Sequence, residues 1–169
     1  MQSGVRTSVV VVSAPDHPVD FHQLVDSSIN KPARYMGHEL GVEPRDWQAA
    51  QVRWALTYPE IYEVGSSNLG HIILYSILNA VPGQLCDRAY LPAADLAARL
   101  REQEQALFGV ESRRPLPAFD ILGFSLSYEL GATNILEMLD LCRVPLRASD
   151  RGDLPLNDPA APPLIFAGG

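Results

Sequence analysis

Apolar positions along the chain change period several times, and each change marks an element. Val52-Arg53-Trp54-Ala55-Leu56-Thr57-Tyr58 is rich in β-branched and aromatic residues and reads as a strand closed by Pro59. A helix follows, with Ser67 or Asn68 as N-cap. Its apolar face is expected to be Leu69, Ile72, Ile73, Ile77 and Ala80, and Pro82-Gly83 stops it. Asp87–Leu91 reads as a short strand. Asp95 then opens a helix with Leu96, Ala97 and Leu100 inward and Arg99, Arg101, Glu102 and Glu104 outward. Ala106–Ser112 reads as a short strand or hairpin arm. Asp120–Ser127 is a near-continuous apolar strand, the pattern of a strand covered on both faces. The helix after it is expected to bury Ala132, Ile135, Leu136, Leu139 and Cys142 and to end at Pro145. Leu164-Ile165-Phe166-Ala167 is another buried strand, running into Gly168-Gly169.

Alternating strands and helices predict an α/β fold with a doubly wound parallel sheet over residues 52–169. Residues 1–51 are expected to form an irregular leader, with a Val9–Val12 run and an extended Lys31–Tyr35 segment, because Pro32 disfavours helix at Lys31. Asp16, Pro18, Asp20 and His22 lack a second ligand pair for a metal and read as solvated. Ala148–Pro163 is a polar, Pro-rich surface connection. The Gly-Gly after the last strand predicts a helix still to come, so the chain is expected to be the N-terminal piece of a longer polypeptide.

Composition narrows the function. The 169 residues are 47% hydrophobic and carry 13 Lys+Arg against 20 Asp+Glu, a net charge of −7. The apolar fraction excludes a disordered chain, and no apolar run approaches a membrane span. The acidic balance without a basic cluster makes nucleic acid an unlikely partner. Cys86 and Cys142 form no disulfide framework and read as buried small hydrophobes, so the expectation is a cytoplasmic protein without membrane association.

In such sheets, ligands bind beyond the carboxyl ends of the strands. Four turns therefore qualify: Tyr58–Asn68, Leu91–Asp95, Ser125–Asn134 and Gly168-Gly169. In the first, the amides of Gly65-Ser66-Ser67-Asn68 offer either an anion site or an ordinary helix cap. Gly65 and Gly70 do not make the dinucleotide fingerprint, and no Gly-Lys-Ser/Thr forms a phosphate loop. Glu60 and Glu63 read as a solvated pair, and His71 as a capping or partly buried histidine. Tyr128, Glu129 and Asn134 lie at the mouth of the best-defined strand. Arg113-Arg114 reads as a solvated loop.

Five stretches together carry a resemblance. They are Lys31-Pro32-Ala33-Arg34-Tyr35, Tyr58–Gly65, Ser67-Asn68-Leu69-Gly70, Leu107–Ser112 and Phe124–Leu130. In this order they resemble the N-terminal region of a large branch of the cobalamin-binding-domain radical S-adenosylmethionine (radical SAM) proteins, over about residues 30–169. The resemblance implies a Rossmann-like, flavodoxin-like fold of the cobalamin-binding type. It also implies a radical SAM catalytic domain as partner, with a [4Fe-4S] cluster and S-adenosylmethionine as that domain's cofactors.

Cobalamin domains carry Asp-x-His-x-x-Gly, Ser-x-Leu and Gly-Gly at successive strand ends. Here Glu60 stands for the Asp, Tyr62 for the His, and Gly65 keeps the glycine; Ser125-Leu126-Ser127 and Gly168-Gly169 take the other two places. The implied cofactor-binding residues are Glu60, Tyr62, Gly65, Ser66, Ser67, Asn68, Ser125, Ser127, Tyr128, Gly168 and Gly169. A phenol titrates near 10 and is a poor axial ligand compared with imidazole. Two readings stay open: cobalamin bound without a protein ligand on cobalt, or a scaffold that keeps the fold without the cofactor. Two cysteines cannot hold the cluster, so radical chemistry is expected outside this chain. The alternative from another class is a non-catalytic module binding a nucleotide or a partner protein. A phospho-receiver is disfavoured because Asp120 lies at the wrong strand end. A flavodoxin-like carrier is disfavoured because Glu60 and Glu63 would repel phosphate.

Overall fold

The computed structural model describes residues 17–37, 39, 42, 45–152, 154–155, 158 and 161–169. Val9–Val12 and Asp16 lie outside the described residues. Four strands, β1 (Val52–Tyr58), β2 (Gln84–Tyr90), β3 (Ile121–Ser125) and β4 (Leu164–Gly168), form one sheet in the order β2-β1-β3-β4, with every pair parallel. Among the described residues, five α-helices accompany them: α1 (Phe21–Leu24), α2 (Tyr62–Gly65), α3 (Leu69–Ala80), α4 (Ala94–Glu102) and α5 (Gly131–Leu141). This is a Rossmann-like α/β architecture. The chain leaves β1 toward β2 and later returns past it to β3, so the direction of winding reverses between β1 and β3.

Alternation along the strands sorts the two faces. Ala55, Leu122 and Phe124 share a core with Leu96 and Leu100 of α4 and Met138 and Leu139 of α5. The opposite face carries Trp54, Leu56 and Tyr58 of β1 with Cys86, Arg88 and Tyr90 of β2, and α3 lies on it. Within β1 and β3 the Thr57 hydroxyl donates to the Gly123 carbonyl at 2.9 Å.

Several expectations need correction. The segment before β1 is no solvated leader: Val19, Phe21, Leu24, Val25, Ile29, Tyr35 and Trp47 all enter the main core. Asp20 caps α1 through the Gln23 N–H. Pro32–Tyr35 forms a 3-10 turn rather than an extended segment. Pro32 does keep Lys31 out of the right-handed helical region, since Lys31 sits at φ 52°, yet the proline itself starts the turn, where its missing N–H costs nothing. Arg113 and Arg114 are not free in solvent; their guanidinium groups stack on Phe21 at 4.2 Å and Trp47 at 4.5 Å. Residues 106–112 form only an isolated antiparallel bridge, Phe108 to Pro115.

The largest correction concerns α3. Its buried residues are His71 and Asn79, while Leu69, Ile72, Ile73 and Ile77 face outward, Leu69 at 68% exposure. The polar row faces inward because each member finds a partner there. Asn79 donates to the Cys86 carbonyl and accepts from the Cys86 N–H, both at 3.0 Å. In α5 the expected Ala132 and Leu136 likewise point outward, and Met138 and Leu141 are buried in their place; β4, expected to be buried, is exposed at every position but Ile165.

Leu122→Ala, at a fully buried position of β3, is expected to cost about 2–5 kcal/mol. Ile73→Ala, on the outer row of α3, is expected to cost under about 0.5 kcal/mol. Urea unfolding of the two variants measures both; a large loss at Ile73 would mean that the apolar row faces the core.

Candidate functional site

The carboxyl ends of β1, β3 and β4 meet at one rim. Leu126 donates its N–H to the Gly168 carbonyl at 2.8 Å, which joins the turn after β3 to the end of β4. A Cβ on Gly169 would lie 2.5 Å from the Leu126 carbonyl oxygen, so only glycine fits this approach. The Tyr128 hydroxyl donates to Glu60, and Asn134 donates to the Pro59 carbonyl at 2.8 Å, tying the turn after β1 to the start of α5. Glu60, Ser125, Tyr128, Gly168 and Gly169 are therefore brought together, and Ser127 lies exposed beside them.

The loop after β1 is arranged differently from a ligand cradle. Residues 62–65 form α2, and the N–H groups of Gly65, Ser66 and Asn68 donate to the carbonyls of Ile61, Tyr62 and Gly65. The Ser67 hydroxyl donates to Glu63 and Val64 carbonyls. Asn68 is the cap of α3: its side chain accepts from the His71 N–H at 3.0 Å and donates to the Tyr58 hydroxyl at 3.1 Å. The helix-cap alternative thus holds over the anion site. Gly65 is small for an internal reason, because a Cβ there would meet the Tyr90 ring at 2.5 Å.

Tyr62 points toward β2. Its hydroxyl donates to Glu39 at 2.5 Å, and its ring packs edge-on against Tyr90 at 5.2 Å. Burial, then the Glu39 carboxylate, pushes its pKa up to about 12, so it stays a neutral phenol. Tyr58 and Tyr90 in turn enclose His71, at 5.4 and 5.7 Å between ring centroids. His71 is 1% exposed, and its Nδ1 pairs with the Ser125 hydroxyl at 3.2 Å. Its Nε2 has no hydrogen-bond partner among the described residues. Burial, then the positive charge of Arg88, lowers its pKa to about 4, so the ring is neutral near pH 7.

Beneath this aromatic cluster lies a buried polar network. Arg88, 4% exposed, pairs with Glu39 and Glu111, each at 2.7 Å, and stacks on Tyr75 at 4.6 Å. The Asp87 carboxylate accepts from the N–H groups of Arg88, Glu111 and Ser112 and from the Ser112 hydroxyl at 2.6 Å. Burial, then the charge of Asp87, pushes Glu111 up to about 8. A cleft of about 600 Å³ opens beside this network, lined by Glu39, Tyr75, Glu111 and Arg113 among others. Glu63 is paired rather than merely solvated: Arg34 at 2.8 Å and Lys31 at 3.2 Å hold its carboxyl down at about 2.

Sequence reasoning missed Arg88, Asp87, Glu39, Tyr75 and Tyr90. The available signal was the Asp-Arg pair inside an otherwise apolar strand, a placement that demands partners. Among the described residues no three His, Cys, Asp or Glu side chains are grouped to hold a metal ion. Cys142 lies in the main core, whereas Cys86 sits on the α3 face, and burial pushes both thiols up. The pair does not fit an iron–sulfur cluster, which needs converging thiolates.

A parallel doubly wound sheet with its strand-end turns gathered at one rim defines a Rossmann-like α/β domain. Residues 70–169, 100 of the 169, match the family of radical SAM proteins' N-terminal regions, and the chain belongs to that family. Neither the curated proteins nor the solved structures contain a significant match. No described helix is long and apolar enough to cross a membrane.

Two outcomes are expected here. The unfolded chain's imidazole takes a proton near 6.5, but His71 in the fold does so only near 4. Between these values the unfolded state binds more protons, so the contribution of His71 is complete above about pH 6.5 and is lost as pH falls toward 4, about 3 kcal/mol over the window. Glu111 has the opposite sign, its contribution being full below 4.5 and lost as pH rises to about 8. His71→Gln should therefore lose less stability than the parent between pH 6.5 and 4, measured by denaturant titration; parallel curves would refute the assignment. Arg88→Met, which leaves Glu39 and Glu111 without their cation, is expected to cost about 3–5 kcal/mol in the same measurement.

Proposed function

We propose that this chain is an accessory domain of a radical SAM protein, a scaffold that positions the catalytic portion and performs no chemistry itself. The observation that carries the reading is the filling of the crevice by the domain's own side chains. Tyr90 occupies the space that Gly65 leaves, His71 sits between Tyr58 and Tyr90, and Tyr62 is bound to Glu39. The residue standing where a cobalt-binding histidine would be is thus a neutral, hydrogen-bonded phenol. A corrin seated here would need these rings to move, so the loop residues do not fit cobalamin bound through Tyr62.

Cobalamin held without a protein ligand is the second reading, and one feature favours it: a Cβ on Gly168 would meet nothing within 4 Å, leaving that part of the rim open. The nucleotide-binding alternative loses support because the amides of Gly65, Ser66 and Asn68 already donate to backbone carbonyls. The cluster and S-adenosylmethionine belong, in this reading, to the catalytic portion. That portion is the partner of this domain.

Incubation with hydroxocobalamin followed by desalting is expected to leave no protein-bound corrin absorbance. Stoichiometric retention of the corrin would overturn the scaffold reading, and loss of that retention in Gly168→Val would locate the corrin at the open rim.

A further inference from the structure

We propose that a water molecule is built into the domain between α3 and β2, bonded to His71 Nε2, Arg88 Nη2 and the Tyr90 hydroxyl, and that it fixes His71 as the Nδ1–H tautomer. Ser125, the other partner of that imidazole, then keeps its own O–H for a hydrogen-bond acceptor at the rim. This goes beyond the accessory-domain reading and holds for a scaffold and for a corrin-binding rim alike.

Six side chains close a ring around the site. Arg88 and Tyr90 lie two residues apart on the α3 face of β2. His71 and Tyr75 lie one turn apart on α3, opposite them. Tyr75 carries the Arg88 guanidinium at 4.6 Å, and His71 meets Tyr90 at 5.7 Å between ring centroids. Tyr62 packs on Tyr90, and Glu39 joins Tyr62 back to Arg88. Three buried polar atoms of this ring, His71 Nε2, Arg88 Nη2 and the Tyr90 hydroxyl oxygen, have no hydrogen-bond partner among the described residues. Arg88 directs Nε to Glu111 at 2.8 Å and Nη1 to Glu39 at 2.7 Å. Its Nη2 stands 2.7 Å from the Glu111 oxygen that Nε already engages, an ion pair without hydrogen-bond alignment. One shared partner accounts for all three atoms, since a buried water makes about three bonds to groups of this kind.

Charge selects the occupant. A cation would sit against Arg88, and an anion would displace Glu39 or Glu111 from it. What fits is a small neutral molecule that both accepts and donates. The donor set then decides the tautomer. Arg88 can only donate, so the water takes its N–H on a lone pair and turns a hydrogen toward Nε2. The sheet order agrees with this. Nδ1 is directed at Ser125 on β3, whereas Arg88 lies on β2 at the other side of β1, which leaves Nε2 on the side of the cation. A positive charge there favours a lone pair over an N–H, and after burial the charge of Arg88 acts on His71 more strongly than that of Glu39. With Nε2 accepting, Nδ1–H donates to Ser125 Oγ at 3.2 Å. Ser125 is half-buried at the carboxyl end of β3, and its hydroxyl has no other partner among the described residues. Its O–H is therefore offered to an acceptor oxygen or nitrogen at the rim.

Long-range 1H–15N correlation spectra of the 169-residue chain labelled at its histidine nitrogens test the tautomer at pH 7, with His71 assigned by its loss in His71→Gln. Expected is a protonated, pyrrole-type Nδ1 and a pyridine-type Nε2; the reverse pattern overturns the proposal. A crystal structure of the same chain tests the water. Expected is one ordered water within about 2.7–3.2 Å of all three atoms. The three side chains in place with no water among them overturn it, as does a direct bond from Nε2 to the Tyr90 hydroxyl. Tyr90→Phe removes one bond of the water and is expected to lower the Tm by about 2–4 °C. An unchanged or higher Tm would mean that the hydroxyl has no partner to lose, and would overturn the water.

Discussion

The arrangement depends on a charged pair placed inside a strand. Asp87 and Arg88 sit next to each other in β2 and both are buried, so each must recruit partners from elsewhere in the chain or be left as an uncompensated charge. Asp87 winds residues 109–112 around its carboxylate, and Gly109 is glycine because a Cβ would lie 2.2 Å from Oδ2 of that group. Arg88 reaches Glu111 in the same loop and Glu39 in the segment before β1. Glu39 then accepts from Tyr62 at the start of α2, in the loop after β1. One pair of residues thereby ties together the edge strand, the leader, the loop after α4 and the rim.

The order of motifs along the chain has a physical explanation in these links. Lys31 and Arg34 bind Glu63; Glu39 binds Tyr62; Glu111 binds Arg88; Glu60 binds Tyr128. Each motif that resembles a cobalamin-domain loop is held by another part of the same chain. Groups whose hydrogen bonds and ion pairs are already satisfied internally have less to offer a ligand, and their spacing along the sequence serves mutual contact.

Strands β1, β3 and β4 and helices α4 and α5 were legible because each is set by local pattern, an apolar run or a 3.6-residue repeat closed by Pro or Gly. The rim turns were legible too, since a parallel sheet fixes which strand ends are gathered. The facing of α3 was not. Periodicity identifies an apolar row but not what that row meets, and here His71 and Asn79 are drawn inward by Ser125 and by the Cys86 backbone. Nor was the ionic network legible, because Glu39 and Arg88 are 49 residues apart and nothing local links them. The leader was misread for a related reason: Phe21, Leu24 and Ile29 are scattered among polar residues, and their burial depends on α4 and the Phe108 region folding against them.

The same logic limits what the domain can do. An iron–sulfur cluster needs thiolates that converge, and the two thiols lie on opposite faces of the sheet with burial holding both protonated. Acid–base chemistry needs a group that is both titratable near neutrality and reachable. His71 is buried and neutral, while Glu63 is exposed but clamped by two cations. Burial pushes Glu111 up to about 8 where it borders an open cleft, and it is bound to Arg88 and Tyr75. The side chains with unusual electrostatics are thus those that hold the domain together. What the described residues leave uncovered is the apolar surface of α3 and β4, with Leu69 at 68% exposure.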